Sequence, residues 1–133
     1  MYFYFLSQVM QNRTEAILSQ FHNSWIETEL FYDKLINYNK RYIKIREFIT
    51  ELKLKGEHNF FRLGLSMDRL LISRSVNNGL RMDQKFIRIE AYDNKFDVVL
   101  RDGQKTYRSY ILDDLNDQRM INLLATLRDT LVD

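Results

Sequence analysis

The distribution of helix-breaking residues constrains the fold of this chain most strongly. Its 133 residues contain no proline, and all four glycines, Gly56, Gly64, Gly79 and Gly103, lie in the second half. Because proline and glycine are the residues that most disfavour a helix interior, nothing interrupts helical structure between residues 12 and 55. The distribution predicts a helical N-terminal region followed by a region of strands and turns.

Apolar residues in the predicted helical region recur at alternating spacings of four and three. They are Phe31, Leu35, Tyr38, Tyr42, Ile45, Ile49 and Leu52. The pattern is typical of an amphipathic helix with one apolar stripe. Two capping boxes compete for its start, Asn12 with Glu15 and Ser24 with Glu27. Either one long helix is weakened near residues 22–24, or two helices meet there.

The hydrophobic period changes to two after residue 59, as expected for strands. Predicted strands cover residues 61–67, 69–76, 86–92, 96–101 and 105–112. Asn77-Asn78-Gly79, Asp93-Asn94-Lys95 and Asp102-Gly103 are turn signals between them. Short turns join neighbouring antiparallel strands, so the sequence predicts an antiparallel meander of about five strands.

The chain ends in a predicted amphipathic helix. Asp113, Asp114 and Asn116 are candidate N-caps, and Met120, Leu124, Leu127 and Leu131 form its apolar stripe. We therefore predict a single α+β domain over residues 1–133. It comprises a helical region at 1–56, a sheet at 59–112 and a C-terminal helix at 116–132 packed on one sheet face.

Composition narrows the classes of function. The absence of cysteine excludes disulfides, thiol nucleophiles and cysteine metal sites, and favours a cytoplasmic protein. The apolar run at residues 1–6 has no basic region before it and is far shorter than the ~20 residues of a spanning helix. We expect no membrane association. A net charge of +2 is too small to drive nonspecific binding to nucleic acid.

The sequence offers little support for catalysis. His22 and His58 lack partners at metal-ligand spacing, and no glycine-rich phosphate loop or nucleophile elbow occurs. Asp68, Asp83 and Lys85 loosely resemble the acidic and lysine residues of a metal-dependent nuclease. Turn composition explains them better, so a nuclease-like enzyme is the lowest-ranked hypothesis. We expect a protein without enzymatic activity and without a cofactor.

Every predicted strand carries or borders an arginine with apolar or small neighbours. These arginines are Arg62, Arg74, Arg88, Arg101 and Arg108. Strand alternation sends one set of side chains to the face away from the helices. The predicted binding face comprises Phe60, Arg62, Phe86, Arg88, Tyr92, Arg101 and Arg108, with Arg69 and Tyr110 as further candidates. Arg74 shares its phase with core residues and is predicted to lie on the core side or at a strand edge.

Two functions fit such a face. The leading hypothesis is a binding protein that engages a protein partner, such as an adaptor, inhibitor, immunity-type or chaperone-like protein. The alternative is single-stranded nucleic-acid binding through the same residues. A structural role is also open, because arginine stems often cover a half-buried sheet and pair with neighbours such as Glu90 and Asp97.

The predicted helical region supplies a second candidate surface. A helix of 30 residues is roughly 45 Å long, which exceeds the length of most strands in a small meander. Part of it would then project beyond the sheet and need a partner, and a homodimer through this helix is one form of that prediction.

Overall fold

The computed structural model of the chain describes residues 2–76 and 84–130, with side chains from residue 12 onward. Its helices are α1 (Tyr2–Leu35), α2 (Ile43–Leu54) and α3 (Gln118–Arg128), and its strands are β1 (Arg62–Ser66), β2 (Arg69–Ser73), β3 (Lys85–Ala91), β4 (Phe96–Asp102) and β5 (Lys105–Leu112). The five strands pair in sequence order, and each pair is antiparallel. The predicted α+β architecture with a five-stranded meander is confirmed.

The helical region consists of two helices that meet at residues 36–39. This connection contains Asn37 and Asn39, which are weak helix formers. The Asn39 side chain accepts a hydrogen bond from the backbone N–H of Arg41 at 2.9 Å, and so caps a short 3₁₀ turn, Lys40–Tyr42, that leads into α2. Two helices do not meet at residues 22–24, because α1 is continuous there and the chain turns about fourteen residues later.

Ser24 is used inside α1 instead of capping it. Its hydroxyl donates to the carbonyl of Phe21 at 2.6 Å and accepts from the backbone N–H of Leu63 at 2.9 Å. The residue therefore joins α1 to the first strand. Asn12 is not a cap either, because α1 begins at Tyr2.

The principal core lies between the helices and one face of the sheet. Its fully buried members include Trp25, Tyr32, Ile45, Ile49, Leu70, Ile72, Ile87, Ile89, Leu100 and Leu112. The indole Nε1 of Trp25 donates to the carbonyl of Phe61 at 2.9 Å, so the helix is tied to the chain just before β1. We call the buried residues between the helices and this sheet face the helix-side core. Tyr38 belongs to the predicted stripe but is 86% exposed, because it lies in the connection between α1 and α2.

Helix α1 extends beyond this core at its N-terminal end. Its 34 residues span roughly 51 Å at 1.5 Å per residue. Among the α1 side chains described, none before Phe21 is buried. We call residues 2–20 the overhang. In the described part of the chain, no helix combines the length and the apolar character needed to cross a bilayer.

The C-terminal helix starts one residue beyond its predicted caps. Asp117 is the N-cap, and its carboxylate accepts a hydrogen bond from the backbone N–H of Arg119 at 2.8 Å. The Arg119 guanidinium also bonds this carboxylate and lowers the pKa of Asp117. Met120, Leu124 and Leu127 are buried as the stripe predicts. The predicted turn at residues 77–79 and the predicted stripe position at residue 131 lie outside the described residues.

Arg74 holds the end of α3 against the sheet. Its guanidinium Nη1 donates to the carbonyls of Arg128 and of Thr130, the latter at 2.7 Å, where the helix dipole favours a cation. The prediction that Arg74 lies on the core side or at a strand edge agrees with its position directly after β2.

Replacing Arg74 with methionine is expected to lower the free energy of unfolding by about 1.5–3 kcal/mol, because two charge-assisted hydrogen bonds are lost. Urea denaturation measures this change. Arg62→Met is the matched control, since the contact of Arg62 with another described side chain is an exposed one of 3.4 Å to Gln20, and its loss should cost less than about 0.5 kcal/mol. Equal losses in the two variants would contradict the assignment.

Candidate functional site

The strand register decides which arginines share the sheet face opposite the helices. Arg88 lies between Leu71 of β2 and Val99 of β4, and Phe86 lies opposite Arg101. Their neighbours along the strands, Ile87 and Leu100, belong to the helix-side core. Alternation therefore places Arg88 and Arg101 on the second face of the sheet.

A pocket of about 250 Å³ opens on this second face. Its lining residues are Ser66, Arg69, Leu71, Phe86, Arg88, Arg101, Gly103 and Gln104. Four strands, β1 to β4, and the turn between β4 and β5 thus contribute to one concave site with three guanidinium groups. We call it the arginine pocket.

The floor of the arginine pocket is apolar and buried. Leu71 and Phe86 are 1% and 3% exposed, although neither belongs to the helix-side core. Val99, on the same face, is also buried. The centre of this face is therefore not an open aromatic surface, and Phe86 contributes the base of a pocket instead of an exposed ring.

The β4–β5 turn shapes one side of the pocket. Gly103 has a φ of +62°, a left-handed conformation that favours glycine. Arg101 donates from Nη2 to the carbonyl of Gln104 at 2.9 Å, which fixes its side chain beside the turn. A register shift between Leu100 and Arg101 distorts the pairing of β4 with β5 immediately before this point.

The three arginines of the pocket form no ion pair with a carboxylate of the described residues. No described carboxylate lies within ion-pair distance of Arg69, Arg88 or Arg101. The Nε of Arg88 is buried and has no hydrogen-bond partner among the residues that the structure describes. A buried donor without a partner is costly, and a ligand acceptor would remove that cost. The arrangement is therefore suited to an anion.

Acidic residues lie on the same face but beyond the pocket lining. Glu90 and Asp97 are directly opposite each other on β3 and β4. The hydroxyl of Tyr92 donates to Glu90 at 3.3 Å, and the carboxylate of Glu90 raises the pKa of Tyr92. The second face thus has a cationic pocket and an adjacent acidic pair.

The other predicted site residues lie elsewhere. Phe60 packs against the helix-side core, with the Arg128 guanidinium carbon 3.6 Å from its ring centroid. Arg108 pairs with Leu100, so it lies on the helix side of the edge strand, beside the exposed Tyr107 ring. Tyr92 is half-exposed next to the β3–β4 turn, outside the pocket lining.

Arg62 and Tyr110 also lie outside the pocket. Arg62 bonds Gln20 of α1, whereas Tyr110 packs against the helix-side core. Of the seven residues predicted for the binding face, the pocket brings together Phe86, Arg88 and Arg101. It adds Ser66, Leu71, Gly103 and Gln104, which the arginine pattern does not indicate. The Asp102-Gly103 turn signal could have suggested the last two.

The nuclease hypothesis depends on three residues whose geometry is only partly described. The Asp68 carboxylate accepts a hydrogen bond from the Tyr42 hydroxyl at 2.6 Å and lies 3.7 Å from the Arg41 guanidinium. These contacts, with the Tyr32 hydroxyl on the Asp68 carbonyl, anchor the β1–β2 turn to the helices. Asp83 lies outside the described residues. Within the described ranges, no group of three or more metal-ligating side chains occurs.

The two histidines meet where α1 passes the short 3₁₀ turn at Glu57–Asn59. Their ring centroids are 4.7 Å apart, and Nε2 of His22 is 2.8 Å from Oδ1 of Asn59. Burial lowers the pKa of His58, and the neighbouring His22 and Lys53 lower it further.

Stability should consequently fall in mild acid. Because the folded-state pKa of His58 is below its ordinary 6.5, the unfolded chain binds the proton more tightly. The contribution of His58 to the free energy of unfolding is expected to be fully present above pH 6.5. It should fall as the pH decreases from 6.5 toward the lowered pKa of the folded state. Urea denaturation across this window should show a smaller decrease for His58→Gln. Identical pH dependence in both proteins would contradict the prediction.

Comparisons of the chain with protein-family models, with curated proteins and with solved structures gave no match.

Proposed function

We propose that this protein is a non-enzymatic binding protein whose arginine pocket receives an acidic segment of a protein partner. One observation carries the proposal: three arginines surround a concave, apolar-floored site, and no described carboxylate forms an ion pair with them. Guanidinium groups form paired hydrogen bonds with carboxylates, and arginine is enriched among the residues that dominate binding energy at interfaces.

The pocket favours a protein segment over single-stranded nucleic acid. Binding of single strands relies on exposed aromatic rings for base stacking, whereas Phe86 is buried in the pocket floor. Tyr92 is half-exposed but lies outside the pocket lining, so it places no stacking ring beside the three arginines. A peptide carboxylate needs only the local cationic pocket, and a nearby acidic pair would select partners that also carry a basic residue.

The pocket lining also argues against acid–base catalysis at this site. Its described residues include no histidine or carboxylate that could act as a general base. Ser66 is the hydroxyl residue among them, and nothing in the lining would activate it.

Fluorescence anisotropy with two labelled probes of equal charge tests the proposal: an oligoglutamate peptide and a single-stranded oligonucleotide. Tighter binding of the peptide, weakened by salt, is the expected result. An uncharged peptide of the same length is the control. Tighter binding of the oligonucleotide would show that the arginine pocket prefers nucleic acid, and this result would contradict the proposal. Absence of binding by both charged probes at low salt would also overturn it.

A further inference from the structure

A groove of about 530 Å³ separates α2 from α3 on the helix side of the sheet. Its floor is formed by the buried residues Phe48, Leu52, Leu115, Met120 and Leu124. Ile121, half-exposed, and Ala125, exposed, lie along the α3 wall. An apolar groove between two helices is the kind of surface that receives a third helix.

The charges at the groove edges cancel. Two carboxylates, of Glu51 and Glu57, face two cations, of Lys55 and Arg128, among the lining residues. A strongly charged ligand would therefore gain little long-range attraction. An apolar segment without charge fits this balance best.

The chain itself contains such a segment at the start of the overhang. Residues 2–10 include four aromatic residues together with Leu6, Val9 and Met10, and none of the nine is charged. They belong to α1, and nine helical residues span roughly 14 Å. The α3 wall from Met120 to Arg128 also comprises nine residues and is roughly 14 Å long by the same rise, so the two lengths match.

The overhang leaves the domain beside the mouth of the groove. Gln20 and His22 of α1 contact Arg62 and Asn59. Asn59 ends the same 3₁₀ turn whose first residue, Glu57, lines the groove. Because α1 is one continuous helix, its first residues cannot fold back into the groove of their own domain without breaking it. A second copy can present its overhang instead.

We propose that residues 2–10 of one copy dock in the α2–α3 groove of a second copy, and that the reciprocal contact closes a twofold homodimer. Each copy supplies one helix and one groove, so the interface is self-complementary. The surface lies on the sheet face opposite the arginine pocket, and the proposal is independent of the function proposed for that pocket.

Light scattering on the full chain should give the mass of a dimer. Ala125→Glu introduces a charge at an exposed position in the groove and is expected to raise the dimer dissociation constant at least about tenfold. Thr126→Glu is the matched control, since Thr126 is exposed on the same helix turn but does not line the groove. A monomer mass for the wild-type chain, or equal weakening by both variants, would overturn the proposal.

Cross-linking identifies the occupant directly, because the chain has no cysteine of its own. Val9→Cys and Ala125→Cys are prepared separately, mixed in equal amounts and oxidised. The expected product is a disulfide between the two variants, formed at least about tenfold faster than from Val9→Cys with Thr126→Cys. Equal rates would contradict docking in the groove. Since Ala125 is remote from the arginine pocket, oligoglutamate binding should be unchanged in Ala125→Glu, so failure of one proposal is distinguishable from failure of the other.

Discussion

Replacing Arg88 with glutamine is expected to weaken the binding of an oligoglutamate peptide at least about tenfold while the protein stays folded. Arg88 lies at the centre of the arginine pocket, between Leu71 and Val99, and its buried Nε has no partner in the described part of the chain. Glutamine keeps a polar side chain but removes the positive charge and the paired donors that a carboxylate would use. Fluorescence anisotropy measures the dissociation constants, and circular dichroism checks the fold.

Arg108→Gln is the matched control for this loss. It removes the same charge from a strand, but Arg108 is exposed on the helix side of β5, opposite Leu100. The dissociation constant of Arg108→Gln for oligoglutamate should change less than about twofold, because a change of net charge alone has an effect of that size. If both variants lost affinity equally, binding would depend on overall charge and the pocket would have no special role.

Trp25→Ala is expected to lower the free energy of unfolding by about 3–5 kcal/mol. Trp25 is fully buried between α1 and the sheet, and truncation leaves a cavity there. It also removes the hydrogen bond from the indole Nε1 to the carbonyl of Phe61, which leaves that carbonyl without this donor. Chemical denaturation followed by circular dichroism gives the change.

Two further variants separate the contributions of volume and hydrogen bonding. Trp25→Phe keeps most of the apolar contact and should cost less, about 1–3 kcal/mol, chiefly through the lost hydrogen bond. Leu30→Ala, at a position of the same helix that is 57% exposed, should cost under about 1 kcal/mol. A similar loss for Trp25→Ala and Leu30→Ala would be incompatible with a core centred on Trp25.

The sheet was predictable because its signals are local. Alternation of apolar residues marks each strand, and Asp102-Gly103 fits a tight turn in which Gly103 takes positive φ. The break between α1 and α2 was not predictable to the same degree. Its signals are two asparagines within a continuous apolar stripe, and the stripe favours an unbroken helix. Tertiary contacts decide the outcome, because Tyr32 and Tyr42 both bond Asp68 in the β1–β2 turn.

The candidate site shows where strand alternation fails to predict the face on which a side chain lies. It correctly places Arg88 and Arg101 opposite the core, because both lie inside regular strands. It misplaces Phe60, which precedes β1 and packs under Arg128. It also misplaces Arg108, which alternates in regular register with Tyr110 and Leu112 and therefore lies on the helix side of β5. Alternation assigns a face only when one core member of the strand is correctly identified, and an error of one residue in that choice reverses every assignment.

Nuclear magnetic resonance of the backbone amides during titration with oligoglutamate tests the arginine pocket most directly. If the pocket binds acidic segments, the largest shifts will cluster at Arg69, Arg88, Arg101 and Gly103, and they will disappear in Arg88→Gln. Shifts centred on the α2–α3 groove, or no saturable shifts at low salt, would contradict the assignment of the arginine pocket as the binding site.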